Sequence, residues 1–124
     1  MKSTLKDIME KLPDFEEMIA VADKIRELSR DKLFTEAELS ARESNIYKEA
    51  VTNEKYFIAG KQPAISYIKS AYEFGGFDGE LLELRKKLAE ISVELDYQKQ
   101  VMVVYRDMIG VFQTISANER GSSF

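Results

Sequence analysis

Apolar positions recur along this chain at intervals of three and four, the period of an amphipathic helix, and the pattern predicts an all-α fold. Thr4 and Asp7 have the spacing of an N-cap box. Leu5, Ile8, Met9 and Leu12 then share one face, which predicts a short first helix ending before Pro13. Pro13 at the first helical position, followed by Asp14, Glu16 and Glu17 facing the positive end of the dipole, opens a second helix. Its core face reads Phe15, Met18, Ile19, Ala22, Ile25 and Leu28. A break is expected over Asp31 to Phe34, because Thr35-Glu36-Ala37-Glu38 matches a capping box that would start a third helix near Glu36. That helix carries a narrower stripe, Leu39, Ile46, Ala50 and Phe57, interrupted by Glu43 and Asn53, and Gly60 supplies its stop.

Pro63 is expected to begin a short fourth helix with Ile65, Ile68, Ala71 and Tyr72 inward. The run Phe74-Gly75-Gly76-Phe77-Asp78-Gly79 then forms a turn in which Asp78 can cap the next helix. The fifth and longest helix reads from Gly79 to about Ala117, roughly 58 Å at the usual rise per residue. Leu81, Leu84, Leu88, Ile91, Leu95, Gln98, Met102, Tyr105, Ile109 and Phe112 alternate by three and four without a slip, which is the heptad period of a left-handed supercoil. Gln98 is the one polar member, and an amide there can fix register, since a slipped pairing would leave it unsatisfied.

A second stripe, Tyr97, Val101, Val104, Met108, Val111 and Ile115, lies beside the first only in the latter half of this helix. The N-terminal half therefore has one narrow seam, flanked by Glu80, Arg85, Lys87 and Glu94, and suits a coiled-coil partner. The C-terminal half is apolar on two sides and suits the bundle core. The expected architecture is an elongated bundle of about five helices with a long C-terminal coiled-coil-type helix. Residues 1–117 form one helical domain and residues 118–124 a flexible polar tail.

Composition narrows the function. The chain has no cysteine and no histidine. That removes disulfides, thiolate nucleophiles, Ser-His-Asp catalysis, Glu-x-x-His di-iron sites and imidazole or sulfur zinc sites. A cytoplasmic protein is expected, with no signal peptide and no apolar run near the ~20 residues of a transmembrane helix. The net charge of −4 disfavours nonspecific nucleic-acid binding. The acidic pairs Glu16-Glu17, Glu80 with Glu83, and Glu90 with Glu94 read as solvated faces, because Arg85, Lys86 and Lys87 sit among the later ones. No metal or cofactor site, no catalytic residue and no enzyme activity are expected.

One island departs from the acidic background. Between residues 55 and 72 the charges are Lys55, Lys61 and Lys69, with no acid, and they are interleaved with Tyr56, Phe57, Tyr67 and Tyr72. Cations that follow phosphates beside aromatic faces that stack on bases make Lys55, Tyr56, Lys61, Tyr67, Lys69 and Tyr72 candidate contacts for single-stranded nucleic acid; the competing reading is a solubilised corner with Phe57 and Tyr72 in the core. A polar helix closing in Tyr56-Phe57-Ile58-Ala59-Gly60-Lys61, a connector and a long terminal helix together resemble the small helical recombination mediators of tailed bacteriophages over residues 36–120. That resemblance implies a ring-forming accessory protein that loads a recombinase on single-stranded DNA. The residues themselves point first to a noncatalytic assembly or adaptor protein. It would act by homo-oligomerisation or by binding another helical protein through the Leu81–Phe112 seam, with nucleic acid as the alternative partner and no membrane involved.

Overall fold

The structure, a computed structural model, describes residues 4–122 apart from the side chains of residues 4, 5, 8 and 122. The Thr4 hydroxyl of the expected cap box and the inward face expected for Leu5 and Ile8 lie outside the described residues. The chain runs α1 (Thr4–Lys11), α2 (Phe15–Thr52), a 3-10 turn (Glu54–Tyr56), α3 (Ile65–Tyr72), a second 3-10 turn (Phe77–Gly79) and α4 (Glu80–Ser122). The fold is all-α. Among the described residues the only extended pairing is a single bridge between Ile58 and Lys61.

The five expected helices are four, because the second and third are one. α2 crosses Asp31–Phe34 without a break, and Thr35, expected to cap a new helix, is 3 % exposed in its interior. A Ser/Thr-x-x-Glu match is only permissive. With no glycine or proline between Phe15 and Thr52, nothing in α2 forces a stop. Uninterrupted winding sets a single inward line through Met18, Val21, Ile25, Leu28, Lys32, Thr35, Leu39, Glu43, Ile46 and Ala50, none of which is exposed. Phe15, Ile19 and Ala22, read as core, fall to one side of that line and are exposed, while Val21 takes the inward place. Asp14, not Pro13, makes the N-terminal cap, its carboxylate accepting from the Glu17 backbone N–H at 2.7 Å.

The chain divides into two compact units. One gathers Met1–Leu28 with Glu94–Phe124, so it contains α1, the start of α2 and the latter part of α4. Its most buried side chains are Leu28 and Leu95, 9 % and 3 % exposed. Here α4 continues to Ser122, past the end expected near Ala117.

The other unit is Ser29–Val93. Its core is Leu39, Ile46 and Ala50 from α2, Ile68 from α3 and Leu81 from α4, with Tyr47, Val51, Tyr72, Phe77, Leu84 and Leu88 packed around them. α3 turns Ile68 and half-buried Tyr72 inward, while Ile65 and Ala71, also expected inside, face out. A helix of eight residues has room for one narrow face, and Ile68 at 1 % exposure sets it.

The connector departs most from expectation. Gly60 does not stop a helix. α2 has already ended at Thr52, Asn53 caps the 3-10 turn by accepting from the Lys55 N–H at 3.0 Å, and Phe57 lies beyond the helix. Ile58 and Lys61 exchange backbone hydrogen bonds of 2.9 and 3.0 Å around Ala59 and Gly60, both at positive φ (51° and 76°), which is a type I′ hairpin turn. Alanine at a left-handed position carries a Cβ clash, whereas asparagine tolerates it. Ala59→Asn is therefore expected to stabilise the protein by about 1 kcal/mol, read as a rise in the urea midpoint at unchanged slope. Nor does Asp78 cap α4. The Gly75 carbonyl accepts from Leu81 N–H and Leu82 N–H at 2.9 and 3.3 Å, taking up two of the orphan donors.

Candidate functional site

The structure buries or half-buries every member of the Leu81–Phe112 seam. Leu81 belongs to the core of the Ser29–Val93 unit and Leu84 and Leu88 pack against it, with Ile91 half-buried. Leu95 is buried in the other unit, where Gln98, Met102, Tyr105, Ile109 and Phe112 are half-buried. Gln98 spends its amide on its own helix, donating to Glu94 Oε1 at 3.0 Å. Two of the charged flanks meet α2 of the same chain. Glu80 accepts from Arg42 at 3.2 Å, and Arg85 donates to Glu43 at 2.8 Å. Glu43, which interrupts the apolar stripe of α2, thus has an ionic partner instead of an apolar one. Lys86, one residue on, pairs along α4 with Glu83 at 3.7 Å.

Arg85 does more than pair. Its Nε donates to the Phe74 carbonyl at 2.9 Å and its Nη2 to the Glu73 carbonyl at 3.0 Å, while the guanidinium carbon lies 5.0 Å from the Phe74 ring centroid. It therefore holds the end of α3 against α2 and α4, and three of its five N–H donors are spent within the chain.

Both halves of the long helix turn the first seam inward, and the difference between them lies in the second stripe. The narrow N-terminal half meets its own chain, and the half that is apolar on two sides keeps one stripe open. In that second stripe Tyr97, Val104 and Val111 are 61, 52 and 52 % exposed, alternating with half-buried Val101, Met108 and Ile115. Val104, Met108 and Val111 also line a groove of about 280 Å³ with Asp107 and with Lys11 of α1. Beside it Arg106, Asp107, Gly110, Val111, Thr114 and Ile115 line a second, shallow one of about 450 Å³. A Cβ at Gly110 would meet nothing within 4 Å, so this face is open to a second backbone. Periodicity alone identified the stripe; only the packing of the first seam shows which line stays uncovered.

The basic, aromatic island does converge. Tyr56 stacks on Phe77 at 4.1 Å and 12°, and Tyr72 stands edge-on to Phe77 at 4.7 Å, to Tyr56 at 6.2 Å and to Tyr67 at 6.3 Å. Phe77, read only as part of a turn, is the ring on which this cluster closes. Desolvation by burial, followed by the neighbouring Tyr67 and then Tyr56 phenols, raises the Tyr72 pKa above its ordinary value. Tyr56 thus has one ring face on Phe77, with the Lys55 ammonium 5.5 Å from its centroid, which leaves Tyr67, 44 % exposed, as the most open candidate ring. Lys55, Lys61 and Lys69 are exposed.

Of the acidic pairs, Glu80 is engaged by Arg42 and Glu83 by Lys86. Among the described residues no three Asp or Glu side chains converge as a metal site. No helix of the described residues is long and apolar enough to cross a membrane. Compared with family models, characterised proteins and solved structures, the chain matches none.

Proposed function

We propose that this is a noncatalytic, cytoplasmic assembly protein that works by helix-mediated oligomerisation. α4 would serve as a coiled-coil-type helix, and the bundle would be completed between copies. The observation that carries this reading is the second stripe of α4. An a/d-type row of six apolar residues, three of them more than half exposed, runs along a helix whose other seam is already turned inward. Such a row costs solvation free energy until another heptad row covers it, and the surface of a lone soluble chain rarely carries a contiguous patch of this kind. The imbalance extends to the whole chain. The described residues bury seven hydrophobic side chains and leave fourteen large ones exposed, which is the pattern of half a bundle. Binding to single-stranded nucleic acid through the Lys/Tyr corner draws less support, since Tyr56 and Tyr72 are occupied with each other and with Phe77.

Light scattering on the eluting protein is expected to give a dimer or larger species at tens of micromolar, and a monomer there overturns the reading. Val104→Glu with Val111→Glu is expected to weaken association by a hundredfold or more, as about 1.5 kcal/mol or more per buried side chain is exchanged for buried charge. Far-UV circular dichroism should stay unchanged, because both positions are exposed within the chain. An oligonucleotide titration that showed salt-sensitive binding by the double variant as well would favour the nucleic-acid alternative.

A further inference from the structure

A second, charged contact between copies emerges from two surfaces that the α4 stripe does not use. The first is the tip of α2. Asp14, Glu16 and Glu17 bring three carboxylates and no base, and Phe15 and Ile19, four residues apart on one face, are 77 and 44 % exposed. The second is the connector between α2 and α4. Its stretch 55–72 brings three lysines and no acid, and Ile58 and Ile65 are 46 and 67 % exposed. Ile65 and Lys69, also four residues apart, stand on one face of α3, as Phe15 and Ile19 do on α2. Among the described residues no ion pair engages Glu16, Glu17, Lys61 or Lys69, although eleven other side chains pair with one another.

Each surface thus couples two exposed apolar side chains to charge of one sign that no ion pair engages, and the signs are opposite. Neither can bind its own copy, since carboxylates would face carboxylates or ammonium groups ammonium groups. Resting on the reading that the chain self-associates, we infer that the α2 tip of one copy docks on the Lys61–Lys69 side of the connector of another. Phe15 and Ile19 lie against the exposed isoleucines, and the acidic tip faces the lysines, with Glu16 nearest and Glu17 about half a turn away around the helix. Repeated head to tail, so that each copy offers its tip to one neighbour and its connector to another, the contact is heterologous and extends the assembly beyond a pair.

Sedimentation velocity of the full chain at about 50 mM and about 500 mM salt tests this, because the Debye length falls severalfold between them. The weight-average mass should drop at high salt to that of the species held by the α4 stripe. At low salt Glu16→Lys with Glu17→Lys, and separately Lys61→Glu with Lys69→Glu, should each weaken the higher association by about tenfold. Combining all four should restore it to within about threefold, because the reversed charges again oppose. Restoration also separates lost contact from damaged folding, which circular dichroism checks directly. Higher association that ignores salt and both reversals overturns this docking while leaving assembly through α4 intact. Loss with the lysine reversals but not the glutamate ones means a different acidic occupant, and also overturns it. A chain that is monomeric throughout overturns the assembly reading itself and this docking with it.

Discussion

Replacing Gly76 by alanine is expected to destabilise the protein by about 3–4 kcal/mol, the sum of a backbone and a packing effect. Gly76 sits at φ 71° and ψ −167°, a region open essentially to glycine alone. A Cβ there would lie 2.7 Å from Leu81 Cγ and 3.1 Å from both Ile46 Cδ1 and Glu80 Cγ. The first two belong to core residues of 0 and 2 % exposure, so neither can swing into solvent to make room. Gly60→Ala is the matched control. Its φ is also positive, at 76°, but nothing lies within 4 Å, so it should cost only the left-handed term, about 1 kcal/mol. Urea unfolding followed at 222 nm measures both. Equal losses for the two variants would show that Gly76 is required for its backbone angle alone.

Leu81→Ala should cost a further-reaching 3–4 kcal/mol, within the range for a fully buried leucine whose surroundings collapse only in part. Leu81 is 0 % exposed and is the α4 member of the cluster that joins α2 and α3 in its unit. Its backbone N–H is tied to the Gly75 carbonyl, which restrains the first turn of α4 from moving into the cavity. Val93→Ala, on the same helix but at a residue 70 % exposed, should fall within about 0.5 kcal/mol of the parent. A Leu81→Ala loss under about 1 kcal/mol would show that the helix can slide to refill the site.

How much was legible in the residues differs by element. α1 and α4 were readable because Pro13 and the Gly75–Gly79 run are strong local signals and because the Leu81–Phe112 period is long. The short α3 was readable from Pro63 and Ile68. α2 was misread as two helices. A capping-box pattern was weighed as a boundary where the absence of any glycine or proline mattered more, and from that error followed the misplaced core face at Phe15, Ile19 and Ala22. The I′ turn at Ala59-Gly60 was hidden because alanine is an unusual occupant of the left-handed region. The aromatic corner was legible as a composition, but its closure on Phe77 was not, since stacking depends on how the connector folds back over residues far apart in sequence.

Helix, period and the absence of imidazole and thiol chemistry are local or compositional properties. The sequence by itself determined those, because backbone hydrogen bonding within a helix and the 3.6-residue repeat need no information from elsewhere in the chain. Which of the two α4 seams is turned inward, and which stays exposed, was decided by tertiary structure alone. Both seams are apolar and similarly spaced, so the choice rests on what packs across from them: Leu39, Ile46 and Glu43 of α2 take up Leu81, Leu88 and Arg85, and Tyr97, Val104 and Val111 are left exposed.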